Sequence, residues 1–202
     1  MKLGILGGSF TPIHNGHLAM ADAVRRAHGL DRVIFVPAGR PPHKRADLAP
    51  PADRLEMVRL ATKGREGVEA SGIEIERPGT SYTVDTLEAF RALHPGAELY
   101  FIIGEDSVPE LPGWREPARI LELARIVAVN RPGPPTTFRA EAFPGVPRDV
   151  IDRLEKDRVH MPPSPVESTR IREAVARGET ISGSVPGAVE AYIRRHGLYR
   201  GS

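Results

Sequence analysis

Four runs of nearly unbroken apolar residues constrain this chain more than any other feature. They are Leu3–Leu6 before Gly7-Gly8, Arg32–Pro37, Leu99–Ile103 before Gly104, and Arg125–Val129. A strand with one face in water alternates apolar and polar residues, whereas a strand covered on both faces is apolar throughout. Helical spacing fills the intervals. Leu18, Ala21 and Val24 predict a helix that starts near Gly16 and ends near His28-Gly29. Further helices are expected from about Ala52 to Lys63, over Val84–Leu93 and over Pro117–Leu123. Val68–Glu76 alternates imperfectly and reads as an additional strand. Asn130 to Pro147 is a Pro/Gly-rich loop, and two helices, near Pro165–Arg177 and Pro186–His196, close the chain. Strands alternating with helices predict an α/β fold with a doubly wound parallel sheet. The 202 residues suit one domain, 1–202, with a C-terminal helical part over about 148–202.

Ligands of such sheets bind beyond the C-terminal ends of the strands, where the strand order reverses. Three glycine- or proline-rich loops fall there: Gly7–Gly16, Pro37–Pro51 and Gly104–Pro112. Composition removes several alternatives. The absence of cysteine excludes disulfides, thiolate nucleophiles and cysteine-ligated zinc. The N-terminal apolar run is too short for a signal-peptide core, and no segment approaches the roughly 18 apolar residues of a membrane span. A cytoplasmic protein without a membrane partner is expected. A net charge of +2 with 5% aromatic residues lacks the dense basic stripe of a nucleic-acid binder. Basic side chains should therefore act locally, in a phosphate pocket. The sequence specifies no oligomeric state, and a homo-oligomer is compatible with it.

The first loop reads GGSFTPIHNGH, Gly7 through His17. It is neither GxxxxGK[ST] nor GxGxxG, and it reads as either a strand-to-helix turn or an anion site. As a site, Gly7-Gly8 turns the backbone close to a ligand and directs the amides of Gly8, Ser9 and Phe10 above the sheet. The helix starting at Gly16 aims its positive end at the same space. His14 and His17 straddle that start and are suited to donating hydrogen bonds to a phosphoryl group. No cysteine or carboxylate cluster joins them to make a metal site.

Two basic constellations follow. Arg40-Pro-Pro-His-Lys-Arg45 is either a solvated turn or a phosphate clamp with Lys44 as its point charge. Val166-Glu-Ser-Thr-Arg-Ile-Arg172 sets Ser168, Thr169 and Arg172 at a helix start, a second anion site suited to a leaving pyrophosphate. Ser164-Pro-Val-Glu167 also has the form of a capping box, so Ser164 is expected to cap while Thr169 and Arg172 face the ligand. Asp106, after an apolar strand that ends at Gly104, is placed to bond a ribose hydroxyl, and Asp85 to orient a helix. Trp114, the single tryptophan, reads either as a rim aromatic or as a surface for stacking a ring.

GGSFTPIHNGH resembles the (H/T)xGH signature of the nucleotidyltransferase superfamily, in which both histidines contact the phosphates of the bound nucleotide. Val166–Arg172 is similar to that superfamily's closing Ile-Ser-Ser-Thr-x-Ile-Arg, departing at Glu167, where serine is usual and a carboxylate repels phosphate. Pro41-Pro-His-Lys44, Gly79-Thr-Ser-Tyr-Thr-Val-Asp-Thr-Leu87, Phe101-Ile-Ile-Gly-Glu-Asp106 with Leu111-Pro-Gly-Trp114, Asn130-Arg-Pro-Gly133 and Gly197-Leu-Tyr199 resemble segments of the nicotinate-nucleotide adenylyltransferases, in order along the whole chain. The resemblance implies a Rossmann-like sheet of the nucleotidyltransferase type. It implies transfer of the adenylyl group of ATP to nicotinate mononucleotide, giving nicotinate adenine dinucleotide and pyrophosphate without a covalent intermediate. His14, His17, Lys44 and Arg172 would share the phosphate charge, with Gly8, Ser9, Phe10, Gly16, Gly104, Asp106, Ser168 and Thr169 around ATP. Ser81, Tyr82, Thr83 and Trp114 would frame the acceptor, and Mg2+ would arrive with ATP. The alternatives are a sister adenylyltransferase acting on nicotinamide mononucleotide or phosphopantetheine, and a nucleotide-binding sensor without catalysis.

Overall fold

The computed structural model describes residues 1–42, 48–130, 141, 147–162 and 164–200. Five strands form one sheet: β1 (Lys2–Gly8), β2 (Arg32–Pro37), β3 (Val68–Ala70), β4 (Glu98–Gly104) and β5 (Arg125–Val129). Their order is β3-β2-β1-β4-β5, and every neighbouring pair is parallel. The connecting helices are α1 (Asn15–His28), α2 (Pro51–Thr62), α3 (Ile73–Glu76), α4 (Thr83–Leu93) and α5 (Pro117–Leu123), followed by α6 (Arg148–Lys156), α7 (Ser168–Ala176) and α8 (Gly187–His196).

The apolar runs are explained by two cores, one on each side of the sheet. Alternate strand residues Leu6, Phe35, Ile102 and Val127 face α1, α2, α7 and α8, while Ile5, Ile34, Phe101 and Ile126 face α4, α5 and α6. Both faces are dry, so both sets of alternating positions are apolar. The chain winds outward from β1 through α1 to β2 on one face, then crosses through α3 and α4 to β4 and continues on the other. The order reverses between β1 and β4, and the connections after these two strands part to opposite faces, opening a crevice above Gly8 and Gly104.

Four expectations need correction. The strand read over Val68–Glu76 stops at Ala70. Ser71 N still donates to Phe35 O at 2.9 Å, but the next ladder donor would be Pro37, which has no N–H. Gly72 then leads into α3. Helix α6 lacks a helical apolar stripe long enough to announce itself: it buries only Ile151 and Leu154. It is laced instead by the pairs Arg148–Asp152 at 3.3 Å and Arg153–Asp149 at 3.1 Å. Residues Glu105–Gly113, read as a loop, form a 3-10 helix containing Pro109 and Pro112. Finally, α7 begins at Ser168, and the capping box expected at Ser164 is absent. Glu167 takes the N-cap position, and Ser164 Oγ instead accepts Val166 N at 3.4 Å in a local turn. Most of the Asn130–Pro147 loop, Arg131-Pro-Gly133 included, lies outside the described residues.

Gly4, at the centre of β1, has no space for a side chain. A Cβ there would stand 2.9 Å from both Leu30 Cδ1 and Val33 Cγ2 and 3.1 Å from Ile102 Cδ1. Gly4→Ala should therefore lose about 1–3 kcal/mol of stability through overpacking, measured by urea unfolding. An unchanged midpoint would show that these side chains yield freely.

Candidate active site

Two cavities occupy the crevice. The larger, about 420 Å3, is lined by Gly7, Gly8, Ser9, Phe10 and His17 on one side, by Gly104, and by Ser81, Thr83 and Trp114 on the other. The smaller, about 260 Å3, is lined by His14, Gly16, His17, Asp106, Ser164 and Glu167 among others. His17 and Met20 belong to both linings, so His17 forms part of the partition between two compartments.

The loop after β1 builds that partition. Phe10 adopts φ 44, a left-handed conformation uncommon for a non-glycine residue. Its ring, nearly fully buried, packs on Phe35 at 5.7 Å and meets the His17 ring edge-on at 5.0 Å. Gly8 lies against the same ring; a Cβ there would be 3.1 Å from it. His14 is the N-cap residue of α1 and is buried. Its ring stacks on that of His17 at 3.7 Å between centroids. A Cβ on Gly16 would stand 3.0 Å from both His14 Nδ1 and Ser164 Oγ, tighter than side chains ordinarily pack, which favours glycine there. His14 N donates to His17 Nδ1 at 3.3 Å. With Nδ1 accepting, neutral His17 carries its proton on Nε2, which makes that atom a donor.

The second anion motif is tied to the first loop. Ser168 Oγ donates to Pro12 O at 3.0 Å, and Arg172 Nη1 donates to Thr11 O at 3.0 Å while Nη2 donates to Thr169 Oγ1 at 3.4 Å. Sequence reasoning expected Thr169 and Arg172 to face the ligand; here Arg172 braces the loop that carries His14. Glu167 is the N-cap residue of α7, where the positive helix end favours a carboxylate, and it lies 3.5 Å from Arg170. Its expected repulsion of phosphate is thus partly offset. Lys44, with His43 and Arg45, lies outside the described residues.

On the acceptor side, Ser81 Oγ accepts Gly39 N at 3.0 Å and Arg40 N at 3.1 Å, which joins the loop after β2 to the segment before α4. Thr83 and Thr86, on the first turn of α4, line the larger cavity. Trp114 lines it too, packed edge-on to Phe101 at 6.1 Å. Tyr82 is the N-cap residue of α4, with the Arg115 guanidinium 4.8 Å over its ring. Asp85 lies 3.8 Å from Arg115.

Two charged residues were missed. Glu74 is buried on the wall of the larger cavity, where its Oε1 accepts Thr86 Oγ1 at 2.7 Å, and Arg77 Nη2 donates to the same hydroxyl at 3.0 Å. Burial raises the Glu74 pKa, opposed by hydrogen bonds from Thr86 and Ser81 and by the charge of Arg77. Arg54 is 1% exposed and donates to three main-chain carbonyls: Ala49 O at 2.9 Å, Ser9 O at 3.0 Å and Gly39 O at 3.3 Å. A signal existed for Arg54, because the 3.6-residue period puts it on the buried stripe of Met57, Val58 and Ala61. No periodic signal marks Glu74, which sits in a single helical turn.

Comparisons with known proteins can now be set beside this geometry. Residues 5–174 match a family described as cytidylyltransferase-like. A probable nicotinate-nucleotide adenylyltransferase of Roseiflexus sp. (strain RS-1) is 49% identical over 203 residues, with 98% of each chain covered. One of the same description from Thermus thermophilus is 43% identical over 200 residues, covering 99% of this chain and 100% of its own. Among solved structures, Plasmodium falciparum nicotinic acid mononucleotide adenylyltransferase complexed with NaAD has a TM-score of 0.75 at 18% identity, covering 98% of this chain and 97% of that one. At that identity the likeness is one of fold.

Glu74 sets a pH dependence. Its pKa is raised above the ordinary carboxylate value of about 4.3, so the folded state binds more protons and this residue's contribution falls as pH rises through the folded pKa. Urea midpoints of Glu74→Gln should accordingly decline less than wild type between the ordinary carboxylate range and neutrality. Parallel pH profiles would mean that Glu74 ionises as freely as an exposed carboxylate.

Proposed function

Since the chain belongs to the cytidylyltransferase-like family, and its full-length relatives are nicotinate-nucleotide adenylyltransferases, we propose that the two compartments joined at His17 hold ATP and nicotinate mononucleotide for direct reaction. The chain is a nucleotidyltransferase: it transfers the adenylyl group of ATP to nicotinate mononucleotide, giving nicotinate adenine dinucleotide and pyrophosphate. The observation that carries the assignment of roles is the His14–His17 stack on the partition, at the point where strand order reverses.

The acceptor phosphate is a competent nucleophile near neutral pH, so the reaction needs neither a general base nor a covalent intermediate. It attacks the α-phosphorus of ATP in line as pyrophosphate leaves. Catalysis comes from alignment and from donors placed where charge builds on the phosphoryl oxygens. Nε2–H of His17 donates there, His14 braces it by stacking, and the loop of Gly8, Ser9 and Phe10 approaches the same phosphates. The smaller compartment takes the adenosine side, with Asp106 on a ribose hydroxyl. The larger takes the pyridine, with Trp114 for stacking and Ser81, Tyr82 and Thr83 around the ring's carboxylate. Lys44, Ser168, Thr169 and Arg172 supply or support the charge for the departing pyrophosphate. Among the described residues no three His, Asp or Glu side chains gather as metal ligands. Mg2+ would enter with ATP and would offset the charge of its phosphates. No described helix is long and apolar enough to cross a membrane; the reading makes the chain one cytoplasmic domain whose part over about 148–202 braces the phosphate loop.

Pyrophosphate release with ATP and, in turn, nicotinate mononucleotide, nicotinamide mononucleotide and phosphopantetheine tests the reading. Nicotinate mononucleotide should give the highest kcat/KM. A higher value with either other acceptor would assign the sister activity, and ATP binding without release from any acceptor would leave a nucleotide sensor. His17→Ala should lower kcat by about 10²–10³-fold, the scale of removing one preorganised donor, with Tm unchanged. Parallel losses of Tm and activity would make His17 a packing residue instead.

A further inference from the structure

Arg54 lines neither cavity, yet its guanidinium is the point at which three segments around the site meet. Nη1 donates to Ser9 O, in the loop that carries the histidines. Nη2 donates to Gly39 O, in the loop after β2. Nε donates to Ala49 O, at the entry to α2. Each contact leads onward to a wall of the site. Gly39 N is bonded to Ser81 Oγ on the acceptor wall. Gly39 is also pressed so closely against α3 that a Cβ there would collide with Glu74 O. Ala49 N donates to Thr11 Oγ1 at 3.2 Å, Thr11 Oγ1 donates to the Tyr199 hydroxyl at 3.1 Å, and Thr11 O accepts Arg172.

We propose that Arg54 is a positioning residue for adenylyl transfer: it sets the separation between the histidine loop and the acceptor wall, and with it the approach of the two reacting phosphates. The inference rests on the reaction assigned above. Burying a guanidinium is costly, and apolar side chains of similar volume often stabilise a fold as well or better. What an apolar side chain cannot do is hold three carbonyls in one plane at fixed angles, which the rigid guanidinium fork does. Phe10, next to Ser9, keeps its positive φ only while its neighbours are held, and the His17 ring packs on Phe10. A shift of Ser9 is therefore transmitted to the atom that meets phosphate. In-line attack is steep in distance: a misplacement of about 1 Å can cost on the order of 10²-fold in rate.

The test compares Arg54→Met and Arg54→Lys with Leu154→Ala, a core substitution in α6 on the opposite face of the sheet. Three quantities are measured well below the melting temperature of each variant: Tm, kcat from pyrophosphate release, and the Kd of nicotinate mononucleotide from quenching of Trp114, the single tryptophan. Arg54→Met should lower kcat on the order of 10²-fold while Kd moves only about threefold, with Arg54→Lys partly restoring kcat and Leu154→Ala keeping it despite a lower Tm. Equal kcat values in Arg54→Met and Leu154→Ala would overturn the inference and leave Arg54 a stability residue. A loss expressed wholly in Kd would also overturn it. If Arg54→Met does not fold, the same comparison with Arg54→Lys decides: kcat reduced about tenfold supports positioning, and parity with Leu154→Ala rejects it. An inactive wild-type chain would instead overturn the assigned reaction itself.

Discussion

Everything about the site hangs from β1, which is hydrogen-bonded on both edges and buried on both faces. A strand so enclosed has no freedom to shift, and its register fixes where Gly7 and Gly8 emerge: beside Val36 and Pro37 on one side and above Ile102 on the other. The loop that follows is rooted in the most constrained part of the molecule and can hold Phe10 at positive φ. From that root outward, the bonds of Arg54 to Ser9, Ser168 to Pro12 and Arg172 to Thr11 brace successive carbonyls of the loop from behind.

The site's electrostatics are less simply cationic than its basic motifs suggest. Glu74 and Glu110 line the larger cavity, and among its described lining residues there is no lysine or arginine. The polar groups that face it are oriented ones instead: the backbone around Gly8, the start of α4 beside Thr83, and His17 with its tautomer set by the amide of His14. Oriented groups of this kind can meet phosphate with little reorganisation, which would suit the proposed roles in a reaction whose charge moves but does not change in total.

What the sequence made legible follows from which forces leave a pattern. Two-sided burial writes itself as apolar runs, so β1, β2, β4 and β5 and the parallel α/β fold could be read directly. Glycines that permit close approach, and histidines spaced across a helix start, marked the first loop. Order along the chain and the resemblance of the segments at Ser81–Thr83 and Trp114 marked the far wall of the larger cavity. The failures have separate causes. Pro37 ends the β3 ladder from a different strand, and that long-range effect is invisible in Val68–Glu76. Helix α6 is anchored in the core by Ile151 and Leu154 alone, too few apolar positions to show a period. The capping signature at Ser164 was real in form, but the helix starts four residues later, with Glu167 as its N-cap. The reciprocal bond between the N-cap and third residues of a helix appears instead at His14 and His17, with an imidazole in the acceptor's place. Arg54 and Glu74 went unnoticed because their partners are main-chain groups and distant hydroxyls, which no local pattern names.

The partition at His17 bears on what happens after the bond is made. With ATP and nicotinate mononucleotide in separate compartments, as proposed, either ligand could leave alone before reaction. The dinucleotide product would then span both, gripped at its adenosine and its pyridine ends through a short diphosphate link, so neither end would escape by itself. Release of one end leaves it at high local concentration beside its vacated pocket. A wall that aligns two substrates for attack thereby converts them into a single bivalent ligand, and turnover comes to depend on both compartments letting go together.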